Sequence, residues 1–221
     1  MSFRATILMT GFVTHDVKRF VISRPEGLDF EPGQGVELTI DAPGWRDQPR
    51  PFTPTSLSDD RVLEFTIKGY PEHHGMTEKL HTLQAGDALL VSEPFGTISY
   101  QGSGTFIAAG AGITPFLAIL RQLARQGRLA GHHLLFSNKT PADIIDEAAL
   151  RFWLGPRAHF LCSRESDCRC LPGRIDQALL EQAIDDFGQH FYICGPPPFV
   201  KAVTQALENL GAKAEAVVFE K

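Results

Sequence analysis

The sequence lacks any apolar run that approaches the roughly 20 residues needed to span a bilayer. Residues 1–7 lead directly into an alternating strand pattern and do not have the charged-then-apolar layout of a signal peptide. Internal repeats, low-complexity tracts and long linkers are also missing. We therefore expect a soluble, cytoplasmic protein that has no membrane partner.

Strong charge of one sign is missing as well. The 221 residues carry a formal net charge of −5, which gives no reason to expect nucleic acid or an anionic surface as a general partner. Cysteine is scarce, and a chain of this size does not need disulfide bonds for stability, so we expect reduced thiols. The cysteines all lie in the C-terminal half, at Cys162, Cys168, Cys170 and Cys194.

Short β-type runs separated by glycine and proline fill the chain from Ser2 to about Tyr100. The clearest runs are 36–40, 62–67 and 88–91. Short strands with turn signals at this spacing are typical of a closed or nearly closed antiparallel β-barrel. We predict that such a barrel forms a first domain over residues 1–101.

After Gly102-Ser103-Gly104 the pattern changes to buried strands that alternate with helices. Repeated strand–helix units predict an α/β domain with a doubly wound parallel sheet over residues 102–221. Its ligand is expected beyond the carboxyl ends of the strands. The predicted strands are 105–109, 133–137, 159–162, 190–194 and 216–219, and the predicted helices lie around 116–123, 142–154, 176–187 and after 197.

A glycine turn, Gly110-Ala111-Gly112-Ile113-Thr114-Pro115, lies between a buried strand and a helix. Backbone N–H groups and the helix dipole at such a place can bind a pyrophosphate, and Pro115 suits the first helical turn. No Gly-Lys-Ser/Thr follows, so the turn is not a Walker loop, and nucleotide triphosphate hydrolysis is not supported. A tight turn that binds no ligand remains the alternative.

Basic residues follow the strands of this second half. The second strand ends in Ser137-Asn138-Lys139, where an NAD-selective site has an acidic residue. Lys139, together with Arg164 and Arg174, would favour the additional phosphate of NADP through charge-assisted hydrogen bonds. The alternative for each residue is a solvated surface charge.

Two segments of the predicted barrel also carry binding chemistry. Arg50-Pro51-Phe52-Thr53-Pro54 holds an arginine for a phosphate, an aromatic ring for a planar group and a hydroxyl for a ring edge. Gly75-Met76-Thr77 opens a helical stretch that would offer a second anion site. An ordinary barrel strand and a simple helix N-cap are the alternatives.

In their order along the chain, these motifs resemble those of the ferredoxin–NADP reductase and flavodoxin reductase family, over nearly the whole sequence. Arg50-Pro51-Phe52-Thr53 resembles the flavin motif, with Phe52 in place of the usual tyrosine. Gly75-Met76-Thr77 resembles the second FAD-phosphate segment. The remaining matches are 86–87 and 94–96 for the closing barrel strands, 110–115 for the nucleotide loop, 194–197 for the Cys-Gly-Pro turn, and 163–165 with 173–175 for the 2′-phosphate segment.

This resemblance implies hydride transfer from NADPH, with NADH possible, to bound FAD. Electrons would then pass to a small redox protein such as ferredoxin, flavodoxin or an oxygenase component. Thr53, Cys194 and Glu220 would be catalytic, and no metal is expected. The implied cofactor contacts are Arg50, Pro51, Phe52, Thr53, Ile67, Lys68, Gly75, Met76, Thr77, Gly110, Gly112, Ile113, Thr114, Lys139, Ser163, Arg164, Arg174, Cys194, Gly195 and Pro196.

Several alternatives remain open. The chain ends at Phe219-Glu220-Lys221 without the terminal aromatic that covers the second flavin face in many family members. An electron-transfer subunit of a larger oxygenase or dehydrogenase complex, a free-flavin reductase and a nucleotide-binding regulator are alternative functions. Cys162, Cys168 and Cys170 do not have ferredoxin-type spacing, so no cluster is expected. The adjacent pairs His73-His74 and His132-His133 are predicted to be surface or loop residues.

Overall fold

A computed structural model describes residues 2–96, 98–165, 167 and 169–219, the last of these by its backbone only. The first half forms a six-stranded sheet in which every neighbouring pair is antiparallel, in the order β4-β3-β6-β1-β2-β5. Its strands are β1 (Ser2–Thr14), β2 (Val17–Ser23), β3 (Val36–Ile40), β4 (Arg50–Phe52), β5 (Val62–Lys68) and β6 (Ala88–Ser92).

The two edges of this sheet are joined to each other. The N–H of Thr55, just after β4, donates to the carbonyl oxygen of Glu64 on β5 at 2.7 Å. The N–H of Glu64 donates in turn to Ser56 Oγ at 3.0 Å. These bonds satisfy edge groups that would otherwise be free to pair with another chain. The predicted nearly closed barrel is therefore confirmed, and helix α1 (Met76–His81) adds Met76 and Leu80 to its core.

The second half forms a six-stranded sheet in which every neighbouring pair is parallel, which confirms the predicted architecture. The strand order is β10-β9-β8-β7-β11-β12. The strands are β7 (Gly104–Ala109), β8 (His133–Asn138), β9 (Ala158–Cys162), β10 (Leu171–Pro172), β11 (His190–Cys194) and β12 (Val217–Phe219).

Helices cover both faces of this parallel sheet. Successive side chains of a strand point to opposite faces, so Phe106 and Ala108 join one apolar cluster while Ile107 joins the other. Both faces are buried, which explains why the strands are apolar along almost their whole length. Helices α2 (Thr114–Arg125) and α3 (Glu147–Leu154) contribute to the first cluster, and α4 (Gln177–Ala183) and α5 (Pro197–Asn209) to the second.

Three expectations need correction. The helix expected around 142–154 begins only at Glu147, because Thr140 and Asp143 form a capping box around a single 3-10 turn, Pro141–Asp143. The helix expected around 176–187 ends at Ala183, since Ile184 is extended with φ −124° and ψ 117°. Of the histidine pairs, His133 is neither a surface nor a loop residue, because it is half-buried and begins β8; His132 lies in the preceding loop, as expected, but is 1 % exposed and stacks against Phe106.

The segment between the two sheets is fixed by one buried tyrosine. The Tyr192 hydroxyl accepts hydrogen bonds from the N–H groups of Gln101 and Gly102, at 2.9 and 3.0 Å, and donates to the Gly102 carbonyl oxygen at 2.8 Å. The ring is fully buried and stacks on Phe106 with a centroid distance of 4.6 Å. The connection between the sheets is therefore anchored to β11.

We predict that Tyr192→Phe lowers the free energy of unfolding by about 1–3 kcal/mol, because the N–H groups of Gln101 and Gly102 lose their acceptor. Urea unfolding followed by circular dichroism measures the change. Tyr70→Phe is the control, since the Tyr70 hydroxyl makes no hydrogen bond to another described residue. Equal stability of Tyr192→Phe and the parent would contradict the anchoring role.

Candidate functional site

A cleft of about 770 Å³ lies between the two sheets and is lined by both. Cavities of several hundred cubic ångströms with a few polar groups are the usual form of cofactor sites. The barrel side contributes Val17, Pro51, Phe52, Thr53, Thr66, Ile67, Lys68, Tyr70, His73 and Thr77. The parallel-sheet side contributes Ala109, Gly110, Ala111, Gly112, Thr114, Ser137, Asn138, Lys139, Asp143, Ile145, Ser163, Cys194, Gly195, Pro196 and Pro197.

Two turns in backbone contact form the centre of the parallel-sheet wall. β7 and β11 are neighbours whose following helices, α2 and α5, cover opposite faces, so a crevice opens between the two strand ends. A Cβ at Gly112 would lie 2.3 Å from the Cys194 carbonyl oxygen. A Cβ at Gly195 would lie 3.0 Å from the Ala109 Cβ. Glycine is therefore required at Gly112, where the two turns approach each other most closely.

The glycine turn brings backbone N–H groups to this crevice. Gly110–Ile113 forms a 3-10 turn that leads into α2, and Gly110 has φ +53°, a left-handed conformation that favours glycine. Thr114 lines the cleft and donates its hydroxyl to the Ala111 carbonyl oxygen at 3.0 Å. The Thr114 N–H already donates to the Ala111 carbonyl oxygen. The N–H groups at the start of the 3-10 turn precede the first intrahelical bonds, so this end of the turn and of α2 can bind an anionic group.

Phe52 and Thr53 form the facing wall on the barrel. Thr53 is 6 % exposed, and its hydroxyl makes no hydrogen bond to another described residue. Because Thr53 lines the cleft, this hydroxyl is available to a polar ligand atom. The Phe52 ring beside it offers an apolar surface to a planar group.

An ion-pair cluster borders the cleft between the two sheets. Lys68 Nζ lies 2.6 Å from Asp16 Oδ2, and His15 Nε2 lies 3.6 Å from Asp16 and 3.9 Å from Asp143. Burial would raise the pKa of Asp16, but the hydrogen bond and charge of Lys68 outweigh it and hold that pKa below its ordinary value. Asp143 Oδ2 also accepts from Thr140 N–H at 2.8 Å. The negative charges of Asp16 and Asp143 are therefore already compensated by ion-pair and hydrogen-bond partners within the protein.

A basic edge forms where the loops after β8 and β9 meet. Ser163 N–H donates to the Asn138 carbonyl oxygen at 3.0 Å, and Arg164 N–H donates to that of Lys139 at 2.9 Å. Gly173 N–H donates to the Cys162 carbonyl oxygen at 3.0 Å, which places the neighbouring Arg174 at the same edge. The guanidinium groups of Arg164 and Arg174 form no ion pair with another described residue, and both residues are exposed.

Not every expected contact residue lines the cleft. Arg50 is exposed on β4, and its Nη1 donates to the Pro49 carbonyl oxygen at 2.8 Å. Met76 and Ile113 are buried in the two cores, at 2 % and 0 % exposure, so only their backbones are available to a ligand. Glu220 lies outside the described residues. Gly75, Arg164 and Arg174 also do not line the cleft.

Some residues of the cleft were not expected from the sequence. The rings of Tyr70 and His73 stack at 5.4 Å between centroids with an angle of 9°, and both line the cleft. Asn138 also lines it, and its Oδ1 is buried without a hydrogen-bond partner. The signal in the sequence is Pro71, which starts the 3-10 turn that follows β5 and brings the two rings together.

Two of the cysteines considered for a cluster are near each other. Cys162 and Cys170 are free and buried. Burial and then a hydrogen bond with Cys170 raise the pKa of Cys162 to about 12. The thiolate is the form that binds a metal, so this protonated thiol is a poor ligand. Cys168 lies outside the described residues.

Two family models match consecutive parts of the chain. Residues 5–100 match the oxidoreductase FAD-binding domain, and residues 106–205 match the oxidoreductase NAD-binding domain. The boundary between the two matches falls in the segment that Tyr192 anchors. In the described part of the chain, no helix has the length and apolar character to cross a membrane.

Similar proteins include reductase components of oxygenase systems. The reductase component of propane 2-monooxygenase from Rhodococcus jostii is 28 % identical over 213 residues, which cover 89 % of this chain and 56 % of that protein. The ferredoxin–NAD(P)⁺ reductase component of the naphthalene 1,2-dioxygenase/salicylate 5-hydroxylase systems of Ralstonia sp. is 26 % identical over 227 residues. This match covers 94 % of this chain and 65 % of that protein. The chain thus spans less than two thirds of these relatives.

Among solved structures, a ferredoxin NADP⁺ reductase from Neisseria gonorrhoeae with bound FAD and NADP superimposes with a TM-score of 0.84. It is 25 % identical, and the match covers 99 % of this chain and 98 % of that one. The cleft fits both groups, because the Asn138 Oδ1 is buried without a protein partner, Thr53 lines the facing wall, and Gly112 keeps the crevice open.

We predict that Gly112→Ala lowers the free energy of unfolding by about 1–3 kcal/mol, because its Cβ would overlap the Cys194 carbonyl group. Gly11→Ala is the control, since a Cβ there meets nothing within 4 Å. Urea unfolding of both variants measures the difference. A Gly112→Ala chain as stable as Gly11→Ala would show that the two turns do not need this close approach.

Proposed function

We propose that this chain, which belongs to the ferredoxin–NADP reductase family, moves a hydride from NADPH to FAD and passes electrons to a redox-protein acceptor. One observation carries the proposal: Thr53 of the FAD-binding part and Cys194 of the NAD-binding part line the same cleft. We also propose residues 1–101 and 102–221 as the two domains, since the first sheet ends at Ser92 and the second begins at Gly104.

In this reaction the protein binds and orients the flavin and the nicotinamide and shields them from water. When bound, the flavin and the nicotinamide supply the redox chemistry. Phe52 would pack against the flavin, and the Thr53 hydroxyl would hydrogen-bond to its edge, since both residues line the cleft. Cys194 has a small side chain that allows close approach from the opposite wall. The facing walls exclude water and hold the reactants in contact, which is a large part of the rate enhancement available to such enzymes.

The nucleotide is held by backbone groups and by the basic edge. The N–H groups of the Gly110–Ile113 turn bind the pyrophosphate at the start of α2. Lys139, Ser163, Arg164 and Arg174 surround the 2′-phosphate. Lys139 and Ser163 line the cleft, and no described carboxylate pairs with either arginine, which supports a preference for NADPH. NADH, which lacks this phosphate, is the weaker substrate.

The acceptor we propose is an oxygenase component, with ferredoxin or flavodoxin in the same role. The support is that several relatives are named as reductase or electron transfer components of oxygenase systems. An electron-transfer subunit of such a complex is compatible with the same site. A cleft of about 770 Å³ lined by both sheets favours a tightly held FAD over a diffusing flavin. We place the reaction in the cytoplasm.

The test is reduction of bound FAD. FAD-reconstituted protein should stay yellow after desalting and should bleach when NADPH is added without oxygen. Thr53→Val should slow this bleaching about 10-fold or more, because the hydroxyl that orients the ring is lost. Thr10→Val, outside the cleft, should not change the rate. Colourless protein whose added flavin neither nucleotide reduces would refute the proposal.

We predict that Arg164→Ala raises KM for NADPH about 10-fold and leaves KM for NADH unchanged. The reason is that the loss of one charge-assisted hydrogen bond to the 2′-phosphate costs about 1.4 kcal/mol, which corresponds to a factor of about ten. Steady-state oxidation of both nucleotides with ferricyanide as acceptor measures it. Arg61→Ala, at an exposed arginine of the barrel, is the control. Equal catalytic efficiency of the parent with the two nucleotides would contradict the preference.

A further inference from the structure

Four charged side chains of alternating sign cross the boundary between the two domains. Arg19 Nη2, on β2, donates to both carboxylate oxygens of Asp146 at 2.7 Å. Arg19 Nε lies 3.5 Å from Glu64 Oε2, and Arg121 Nη2 lies 3.3 Å from Glu64 Oε1. Arg19 and Glu64 belong to the barrel, whereas Arg121 and Asp146 belong to the α/β domain, so the chain of charges crosses the boundary twice.

This chain of charges lies next to the cleft on both sides. Arg19 pairs with Thr66 in the β2–β5 ladder, and Thr66 lines the cleft. Val17, two residues before Arg19, also lines it and is buried in the apolar cluster of the α/β domain. Ile145, next to Asp146, lines the cleft from the other domain. This ion pair therefore joins two segments that each carry part of a cleft wall.

The Asp146 backbone is held in an unfavourable conformation. Its φ is +51°, and only one other non-glycine residue of the described ranges has a positive φ. Such conformations persist where the surrounding structure enforces them, and they concentrate at functional sites. Here the conformation starts α3 at Glu147 while the Asp146 carboxylate faces Arg19.

The ion pair is also partly buried. The exposed fractions of the side chains are 30 % for Arg19, 17 % for Glu64 and 16 % for Asp146. Burial disfavours the charged form of Arg19, but the hydrogen bond and charge of Asp146 outweigh it and hold the pKa of Arg19 above its ordinary value. The guanidinium is therefore charged throughout the physiological range.

We propose that Arg19 is a positioning residue that fixes the angle between the two domains and, through it, the separation of Thr53 and Cys194. The inference rests on the proposed function, because hydride transfer requires reacting atoms about 3–3.5 Å apart. Domains of one chain move relative to each other unless their interface restrains them. The planar fork of an arginine restrains orientation, which a lysine, with a point charge on a flexible stem, does much less.

Removing the Arg19 guanidinium is expected to separate the two domains. In Arg19→Gln, the cation that joins Glu64 to Asp146 across the boundary is lost. Glu64 keeps Arg121 and the Thr55 hydroxyl, which donates to its Oε1 at 2.9 Å, but Asp146 loses its ion-pair partner, so the link between the domains weakens and they separate. Arg19→Lys keeps the charge but loses the planar fork.

Arg125→Gln is the matched control. Arg125 also bridges the domains, through two bonds to Asp59 at 2.8 and 2.9 Å, but the two side chains are 55 % and 64 % exposed and neither lines the cleft.

The experiment uses the full chain loaded with FAD, with three readouts for each variant. These are the rate of flavin bleaching at saturating NADPH, the long-wavelength absorbance of the flavin–nicotinamide pair and small-angle X-ray scattering. For Arg19→Gln we expect flavin bleaching about 10- to 100-fold slower than in the parent. We also expect weaker long-wavelength absorbance and a broader distance distribution in the scattering. The Kd for NADPH should stay within about 3-fold of the parent's, because the groups that bind the nucleotide are unchanged. Arg19→Lys should be intermediate, and Arg125→Gln should match the parent.

Long-wavelength absorbance and scattering of Arg19→Gln equal to the parent's would overturn the proposal, as would the same losses in Arg125→Gln. If Arg19→Gln does not fold, Arg19→Lys decides: slower bleaching supports the proposal, and the parental rate overturns it. If NADPH fails to bleach the parent, the proposed function fails, and the scattering of the variants still decides whether Arg19 sets the domain angle.

Discussion

The close approach of two turns at the ends of β7 and β11 is the contact on which the site depends. Gly112 lies against the Cys194 carbonyl group, at a distance that leaves no space for a Cβ. This contact opens a crevice between strands whose helices leave on opposite faces of the sheet. In the proposed function, the crevice becomes a catalytic site only because Thr53 of the barrel lines the same cleft. The parallel sheet therefore supplies one wall, and the orientation of the barrel supplies the other.

Much of the fold could be predicted from the sequence because its signals are local. The β11 boundaries, His190–Cys194, follow from an apolar run that ends at a glycine and three prolines. The change from a period of two residues to one of 3.6 after residue 104 separates the barrel from the α/β domain. The prediction of a helix from residue 142 was wrong, because the capping box of Thr140 and Asp143 encloses a single 3-10 turn that ends before Glu147. Composition does not reveal the side-chain hydrogen bonds of a capping box.

The site was predictable to the extent that it consists of motifs. The turns at Gly110 and Cys194 and the segment Pro51–Thr53 were found and are brought together in one cleft. The Arg19–Asp146 ion pair was not found, because 127 positions separate its members and neither belongs to a motif. The Tyr70–His73 stack depends on the path of a short 3-10 turn. Contacts of this kind depend on tertiary geometry, which periodicity and spacing do not encode.

The most direct test of the account is a crystal structure of the protein with FAD and NADP⁺ bound. The account predicts the flavin against Phe52 and Thr53, the pyrophosphate at the Gly110–Ile113 turn, and the nicotinamide beside Cys194, with the reacting atoms about 3–3.5 Å apart or brought there by a small rotation. A nucleotide bound away from both turns, or a flavin outside the cleft, would contradict it.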